Sequence, residues 1–114
     1  MYKNIKNGII QNVKPTTKTW LIEAAFMGNI AFIQLYIEYN GDLNILDNNG
    51  KNALHLACMC NNVEVSKILI YNKIMINHKE SNKHQAPIHY CIIYRSYDCM
   101  KVLIENNCDI NIQE

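Results

Sequence analysis

Hydrophobic and polar positions fall in short blocks along this chain, and their spacing predicts helices rather than strands. The clearest block follows a polar turn at residues 47–50. Apolar residues at helical spacing predict a short helix over 53–60 and an amphipathic helix over 63–71, separated by an Asn-Asn break. A helix pair of this size cannot bury its apolar faces alone. The pattern therefore predicts a unit that stacks against similar neighbours.

The same unit recurs along the chain. His55 and its three successors reappear from His89 onward, at an offset of 34 residues, and Asn77 matches Asn111 at the same offset. Ala57-Cys58 corresponds to Ala24-Ala25 at an offset of 33 residues. Three copies on one register predict a single domain built from repeats. The predicted boundaries are a partial repeat at 1–13, then repeats at 14–46, 47–79 and 80–114.

Helix ends are predicted from capping and left-handed residues. Thr19 is expected to cap a helix over 20–27. Gly41 is expected to end the second helix of the first copy in a left-handed conformation. Asn29 and Ser96 are expected to cap the second helices of the first and third copies. In the last helix the residues expected to face inward are Met100, Leu103 and Ile104.

The turn-and-helix motif of the second copy resembles the opening of an ankyrin repeat, D-x-x-G-x-T-P-L-H-x-A. Asn52 and Ala53 replace the family's Thr and Pro. The residues that carry the signature are Asp47, Gly50, Leu54, His55 and Ala57, with Pro87 and His89 in the next copy. The resemblance implies an all-α solenoid of stacked helix-turn-helix units joined by β-turn loops. It also implies a non-enzymatic protein–protein interaction module, in which the histidine of the motif, His55 or His89 here, is structural.

Composition narrows the classes of function. The net charge is +1, and the charged residues are interspersed rather than gathered in the basic stripe that nucleic acid requires. No apolar run approaches the roughly 20 residues of a membrane span. The five cysteines are an odd number without disulfide-framework spacing, and Cys58, Cys91 and Cys108 stand at small-residue positions. We expect an intracellular, cytoplasmic protein with reduced thiols.

Catalytic, cofactor and metal sites are not expected. No acid or nucleophile is spaced to form a triad with either histidine, and no G-x-G fingerprint for a phosphate or dinucleotide is present. Cys58-x-Cys60 with His55 suggests a zinc cluster, but three such positions on one short helix cannot all face one tetrahedral centre. A metal-binding or redox role through these residues remains an alternative that metal analysis would test.

Candidate binding residues follow from the resemblance, because the two residues before each inter-helix break would face the family's concave groove. They are Phe26, Met27, Met59, Cys60, Ile93 and Tyr94. Stacking would align them into an apolar surface of the kind that binds partners, although the same residues could instead pack as core between repeats. A polar rim of turn tips is also expected. Its residues are Asn48, Asn49, Lys51, Asn82, Lys83 and Gln85.

The function predicted from these features is recognition of another protein by a scaffold without enzymatic activity. In composition and loosened consensus the chain is similar to ankyrin proteins of large AT-rich DNA viruses, which implies a modulator of host signalling in the host cytoplasm. The alternative is a segment or subunit of a longer array that self-associates through uncapped end repeats. Asn77 and Asn111 each follow a leucine by eight residues, a spacing similar to that of hydroxylated ankyrin asparagines.

Overall fold

Six α-helices form three consecutive hairpins in the part of the chain that the computed structural model describes, residues 14–112, with side chains described from residue 20 onward. No strand occurs within these residues. In chain order the helices are α1 (Lys14–Met27), α2 (Ile30–Glu38), α3 (Ala53–Met59), α4 (Val63–Tyr71), α5 (Pro87–Ile93) and α6 (Tyr97–Glu105). The all-α architecture predicted from the sequence is confirmed. The partial repeat predicted at 1–13 lies outside the described residues.

Each hairpin turns through one residue in the left-handed conformation. Gly28, Asn61 and Arg95 have φ angles of 73°, 54° and 58°. The next residue then donates its backbone N–H to a carbonyl of the first helix, as in the 2.9 Å bond from Asn62 to Ala57. Glycine and asparagine accept this conformation readily, whereas arginine adopts it at a steric cost. The break therefore depends on backbone geometry more than on one residue type.

The core is continuous across the three hairpins. Its fully buried large side chains include Leu21 and Ile33 in the first hairpin, Leu54 and Leu69 in the second and Leu103 in the third. Helix α3 packs between α1 and α5, and α4 packs between α2 and α6. Each hairpin thus covers an apolar face of its neighbour, as the sequence pattern predicts.

Polar turns fix the spacing between the second and third hairpins. The Asp47 carboxylate accepts the backbone N–H groups of Asn49 and Lys51 at 2.8 and 2.9 Å. Gly50 has a φ of 77°, and a Cβ atom there would overlap Ser81. Ser81 in turn donates its backbone N–H to the Asn49 carbonyl at 2.8 Å. Gly50 is therefore required both for its conformation and for the close approach of the next turn.

Asparagine side chains link successive hairpins. The Asn62 amide donates to the Ala25 carbonyl at 2.8 Å, across the first and second hairpins. The Asn77 side-chain oxygen accepts the Asp109 backbone N–H at 2.9 Å. Each bond joins residues more than 30 positions apart, so these amides add directional contacts to the apolar stacking.

Several predicted helix ends were wrong. Helix α1 begins at Lys14 rather than Trp20, so Thr19 lies inside it and does not cap it. Asn40, with a φ of 61°, takes the left-handed conformation predicted for Gly41. Gly41 is instead needed for space, because a Cβ atom there would overlap the Tyr36 ring.

The last hairpin corrects two further predictions. Ile104 is 47% exposed, whereas Val102 and Leu103 fill the inward positions of α6. Ser96 occupies the N-cap position of α6, but its side chain makes no capping hydrogen bond. By contrast, the Asn29 side chain caps α2 by accepting the Phe32 backbone N–H at 3.2 Å, as predicted. None of the helices in the described chain is long and apolar enough to cross a membrane.

Candidate functional site

Six side chains occupy equivalent positions at the ends of α1, α3 and α5, and we name this set the apolar stripe. They are Phe26, Met27, Met59, Cys60, Ile93 and Tyr94. Four of the six are exposed, by 48%, 75%, 52% and 49% for Phe26, Met27, Ile93 and Tyr94. Met59 and Cys60 in the middle are half-buried. The stripe therefore presents apolar surface to solvent at both ends.

A groove opens beside the stripe between α1 and α3. Its volume is about 430 Å³. Its lining residues, which define what we name the acidic groove, are Ile22, Glu23, Phe26, Met27, Asp47 and Leu56. Four of the six are apolar and the other two are carboxylates.

His55 is fully buried, and its ring forms hydrogen bonds with backbone groups of two turns. Its Nε2 donates to the Gln85 carbonyl at 2.8 Å, and its Nδ1 accepts the Asn52 backbone N–H at 3.1 Å. The Asn52 side chain in turn accepts the His55 backbone N–H at 3.0 Å. Burial lowers the pKa of His55 to about 4, despite the opposing bond to Gln85. Both ring nitrogens of the neutral imidazole are thus engaged in holding the backbone.

His89 repeats the arrangement with backbone partners only. Its Nδ1 accepts the Ala86 backbone N–H at 2.8 Å, and its Nε2 donates to the Ile112 carbonyl at 3.2 Å. Pro87 is the first residue of α5, the helix that contains His89. Ala86 stands where the family has Thr, and His89 bonds to backbone groups alone.

Glu80 is a buried carboxylate that the sequence analysis missed. It accepts the Tyr90 hydroxyl at 3.0 Å and the Lys83 backbone N–H at 2.7 Å. Burial alone would raise the pKa of Glu80, but the bonds from Lys83 and Tyr90 outweigh it and lower the pKa. Burial and the bond to Glu80 raise the pKa of Tyr90. Glu80 has no counterpart at the matching position of the second copy, Leu46, so periodicity gave no signal for it.

The turn tips are exposed at four of the six predicted positions, namely Asn48, Asn49, Asn82 and Lys83. Lys51 is half-buried, with its Nζ 5.8 Å from the centroid of the Tyr90 ring. Gln85 is only 8% exposed, and its placement on the polar rim was wrong. Its backbone carbonyl accepts hydrogen bonds from His55 Nε2 and from the Glu80 backbone N–H. These two bonds hold the residue beneath the turn.

Three thiols, those of Cys58, Cys91 and Cys99, lie together in the core between the second and third hairpins. Hydrogen bonds with Cys91 and Cys99 raise the pKa of the Cys58 thiol, and burial raises it further. The Ser66 hydroxyl lies 3.4 Å from the Cys99 sulfur. Within the described residues no three His, Cys, Asp or Glu side chains are arranged to hold a metal ion. The thiols act there as small core side chains.

Comparisons with known proteins extend the repeat pattern to nearly the whole chain. The family model for ankyrin repeats, in three copies, matches residues 5–114. The ankyrin repeat domain of human ASB11, a solved structure, superimposes with a TM-score of 0.76 at 24% identity, over 82% of this chain and 42% of that one.

Curated relatives are much longer than this chain. The transient receptor potential channel pyrexia of Drosophila melanogaster is 30% identical over 65% of this chain, which spans 8% of the channel. An ankyrin repeat protein of Acanthamoeba polyphaga mimivirus is 27% identical over 72% of this chain, which spans 11% of it. The chain therefore spans only a small part of the length of each of these relatives.

Proposed function

The chain belongs to the ankyrin-repeat family, whose repeats are generally protein–protein interaction modules, and from that premise we propose that it binds a partner protein through the apolar stripe and the turn tips. The observation that carries this proposal is the exposure of Phe26, Met27, Ile93 and Tyr94. A contiguous exposed patch suggests a partner, whereas scattered apolar residues do not. Methionine and aromatic residues are also enriched in interface cores.

The turn tips would set the register of the partner on the stripe. Asn48, Asn49, Asn82 and Lys83 are exposed, and Asp47 and Gly50 fix the turn that presents the first two. Polar residues on loops held by a rigid scaffold commonly carry recognition. In this proposal the stripe supplies affinity by apolar burial, and the tips supply hydrogen bonds at the edge of the interface.

The partner in this proposal is a host signalling protein, and the chain acts without catalysis or a cofactor in the cytoplasm of an infected cell. The similarity to a mimivirus ankyrin repeat protein supports a viral role. Free thiols at all five cysteines support a reducing compartment. We retain 14–46, 47–79 and 80–114 as the proposed repeats, each containing one of the three hairpins.

Affinity capture with matched variants tests the proposal. Proteins captured by the tagged chain are identified by mass spectrometry, and their binding is compared with that of Phe26→Ala/Tyr94→Ala. We expect the double variant to lose its partner while keeping its urea midpoint. The control is Tyr39→Ala/Tyr71→Ala, which removes two aromatic rings that are 75% and 82% exposed away from the stripe. Equal loss in both variants, or unfolding of the first, would count against the stripe.

Self-association is a second candidate function, and the end face of the third hairpin favours it. Cys58 and Ser66 are buried, and both touch residues of the third hairpin. Their counterparts in the third hairpin, Ile92 and Met100, are 57% exposed and half-buried. We propose that a second copy or a further repeat covers this apolar face.

Sedimentation at several protein concentrations distinguishes this candidate. If the end face mediates self-association, the wild-type mass rises with concentration and Ile92→Lys abolishes the rise. Tyr71→Lys is the control, because it places the same charge on an exposed site of α4. A protein that stays monomeric at every concentration would exclude self-association.

A further inference from the structure

Three buried thiols from three helices meet at the junction between the second and third hairpins, and we name them the thiol cluster. Cys58 lies on α3, whereas Cys91 and Cys99 lie on α5 and α6. The Cys58 thiol is hydrogen-bonded with both other thiols. Cys99 Sγ also lies 3.8 Å from the backbone carbonyl oxygen of Ala57, the residue before Cys58. The fold therefore holds sulfur atoms of two hairpins within reach of one another.

Packing alone does not require sulfur at this junction. At the junction between the first and second hairpins, the positions that match the three cysteines carry buried hydrocarbon side chains, namely Ala25, Ala57 and Val65. Cysteine can fill such a position as a small hydrophobic residue, but its thiol is also reactive. The thiol cluster therefore adds a chemistry that the first junction lacks.

The thiols of Cys58 and Cys99 differ in how readily they ionise. Hydrogen bonding with Cys58 lowers the pKa of Cys99 to about 7, and the Ser66 hydroxyl, 3.4 Å from the Cys99 sulfur, adds to this against the opposing effect of burial. Hydrogen bonds with Cys91 and Cys99 raise the pKa of Cys58. Cys99 is therefore the thiol that becomes a thiolate near neutral pH, and thiolates are the species that peroxides oxidise.

We propose that Cys58 and Cys99 form an oxidation site, at which hydrogen peroxide converts their thiols into a disulfide that joins α3 to α6. The Cys99 thiolate attacks one peroxide oxygen and becomes a sulfenic acid, while the second oxygen leaves as hydroxide and takes up a proton. The Cys58 sulfur then attacks the sulfenic sulfur, and the oxygen leaves as water with the Cys58 proton. Two thiols and one peroxide thus give one disulfide and two waters.

The disulfide would act on the junction between the hairpins. Both thiols are fully buried in the reduced protein, so peroxide reaches them when the second and third hairpins part transiently. The new bond then holds α3 and α6 together and prevents that motion. A cross-link also restricts the unfolded chain, which favours the folded one. Oxidation would therefore lock the third hairpin to the second, and this inference does not depend on the proposed function.

Oxidation of the purified full chain tests the proposal. The reduced protein is treated with hydrogen peroxide, the remaining thiols are alkylated in denaturant, and linked peptides are identified by mass spectrometry without reduction. The test variants are Cys58→Ala and Cys99→Val, which carry the side chains that the fold already accepts at the matching positions of the first junction. The control variants are Cys91→Ala, which removes the third member of the thiol cluster, and Cys60→Ser, which removes the half-buried thiol at the end of α3.

In the wild-type chain we expect the number of free thiols to fall from five to three, with Cys58 linked to Cys99. The urea midpoint of the oxidised chain should rise by roughly 1–2 M, and a reducing agent should reverse the rise. Cys58→Ala and Cys99→Val should lack both the link and the rise, whereas Cys91→Ala and Cys60→Ser should retain them. Urea unfolding of each reduced variant verifies that it folds.

Peroxide treatment of the chain unfolded in urea is the control for the fold, and it should scatter the links among all five cysteines. An equal yield of the Cys58–Cys99 link there would show that the folded structure does not select the pair, and would overturn the proposal. A folded chain that keeps five thiols, links Cys58 to Cys91 or Cys60, or forms only disulfides between two chains would overturn it as well. If Cys99→Val fails to fold, the linked peptides of wild type and Cys58→Ala decide. None of these outcomes bears on binding at the apolar stripe.

Discussion

The Nε2 atom of His55 donates to the backbone carbonyl of Gln85 at 2.8 Å, so one side chain of the second hairpin holds the turn that opens the third. The two residues are 30 positions apart. His89 makes the equivalent bond to the Ile112 carbonyl at 3.2 Å. The fold thus uses histidines as backbone connectors between hairpins, and His55 is the more deeply buried of the two.

We predict that His55→Ala destabilises the protein more than His89→Ala. The first change removes the acceptor of the buried Asn52 N–H, at about 1–3 kcal/mol, and takes away one of the two donors to the Gln85 carbonyl. The second should cost about 1 kcal/mol, because His89 is half-buried and its bond to Ile112 is longer. Urea unfolding followed by circular dichroism measures both. Equal losses would mean that the bond to Gln85 contributes little.

Stability should fall as the pH decreases from 6.5 toward 4. Burial lowers the pKa of His55 from 6.5 to about 4, so between these values the unfolded chain binds a proton that the folded chain does not. The contribution is fully present above pH 6.5 and is lost as the pH falls to about 4, for a total of about 3 kcal/mol. Glu80, whose pKa is lowered from 4.5, adds a loss only at the acid end.

Urea midpoints between pH 7 and pH 5 measure this dependence. His55→Gln should flatten the slope, because no proton is then taken up at that position on unfolding. His84→Asn, at an exposed turn position, is the control for replacing a histidine elsewhere in the chain. A slope that persists in His55→Gln would assign the pH dependence to other groups.

Leu69→Ala should cost about 2–5 kcal/mol, as expected for a fully buried leucine. Ile104→Ala, at a position that is 47% exposed, should cost less than about 1 kcal/mol. Two aliphatic residues on outer helices are thereby compared in one measurement of unfolding free energy. A large loss at Ile104 would indicate that its side chain is covered in solution, as it would be in a self-associated form.

Arg95→Gly should stabilise the protein by about 1 kcal/mol. Arg95 has a φ of 58°, a conformation that glycine adopts without steric cost. Asn61→Gly at the equivalent break should give no gain. Asparagine tolerates this conformation, and its Oδ1 accepts the Cys99 backbone N–H at 3.2 Å. Thermal unfolding of the two variants tests the difference, and a loss on Arg95→Gly would point to contacts of the guanidinium.

The sequence predicted the hairpins well because each apolar helix face recurs with the period of the fold. Helix α4 has the predicted bounds, 63–71. The small-residue position of Cys58 and the structural role of the motif histidine were also predicted from their places within the repeat, and Cys58 is buried while His89 bonds to backbone. Periodicity identifies equivalent positions, and it succeeds wherever equivalent positions have equivalent neighbours.

The prediction failed where the neighbours differ between copies. Ile104 was assigned to the core by its spacing, but Val102 and Leu103 occupy that space. Gln85 has the polarity of an exposed turn residue, yet the ring of His55 from the preceding hairpin binds its carbonyl and buries it. Glu80 has no polar counterpart in the second copy. The contacts of Gln85 and Glu80 involve side chains 30 and 10 positions away, which local pattern does not report.

Two cysteines that are two residues apart give the molecule a built-in probe of its local opening. Cys60 is half-buried at the end of α3, whereas Cys58 is fully buried against the third hairpin. An alkylating reagent can therefore reach Cys60 in the native state but Cys58 only after the second and third hairpins separate. The ratio of the two labelling rates, measured by mass spectrometry, would report how often the second and third hairpins separate, without an added fluorophore.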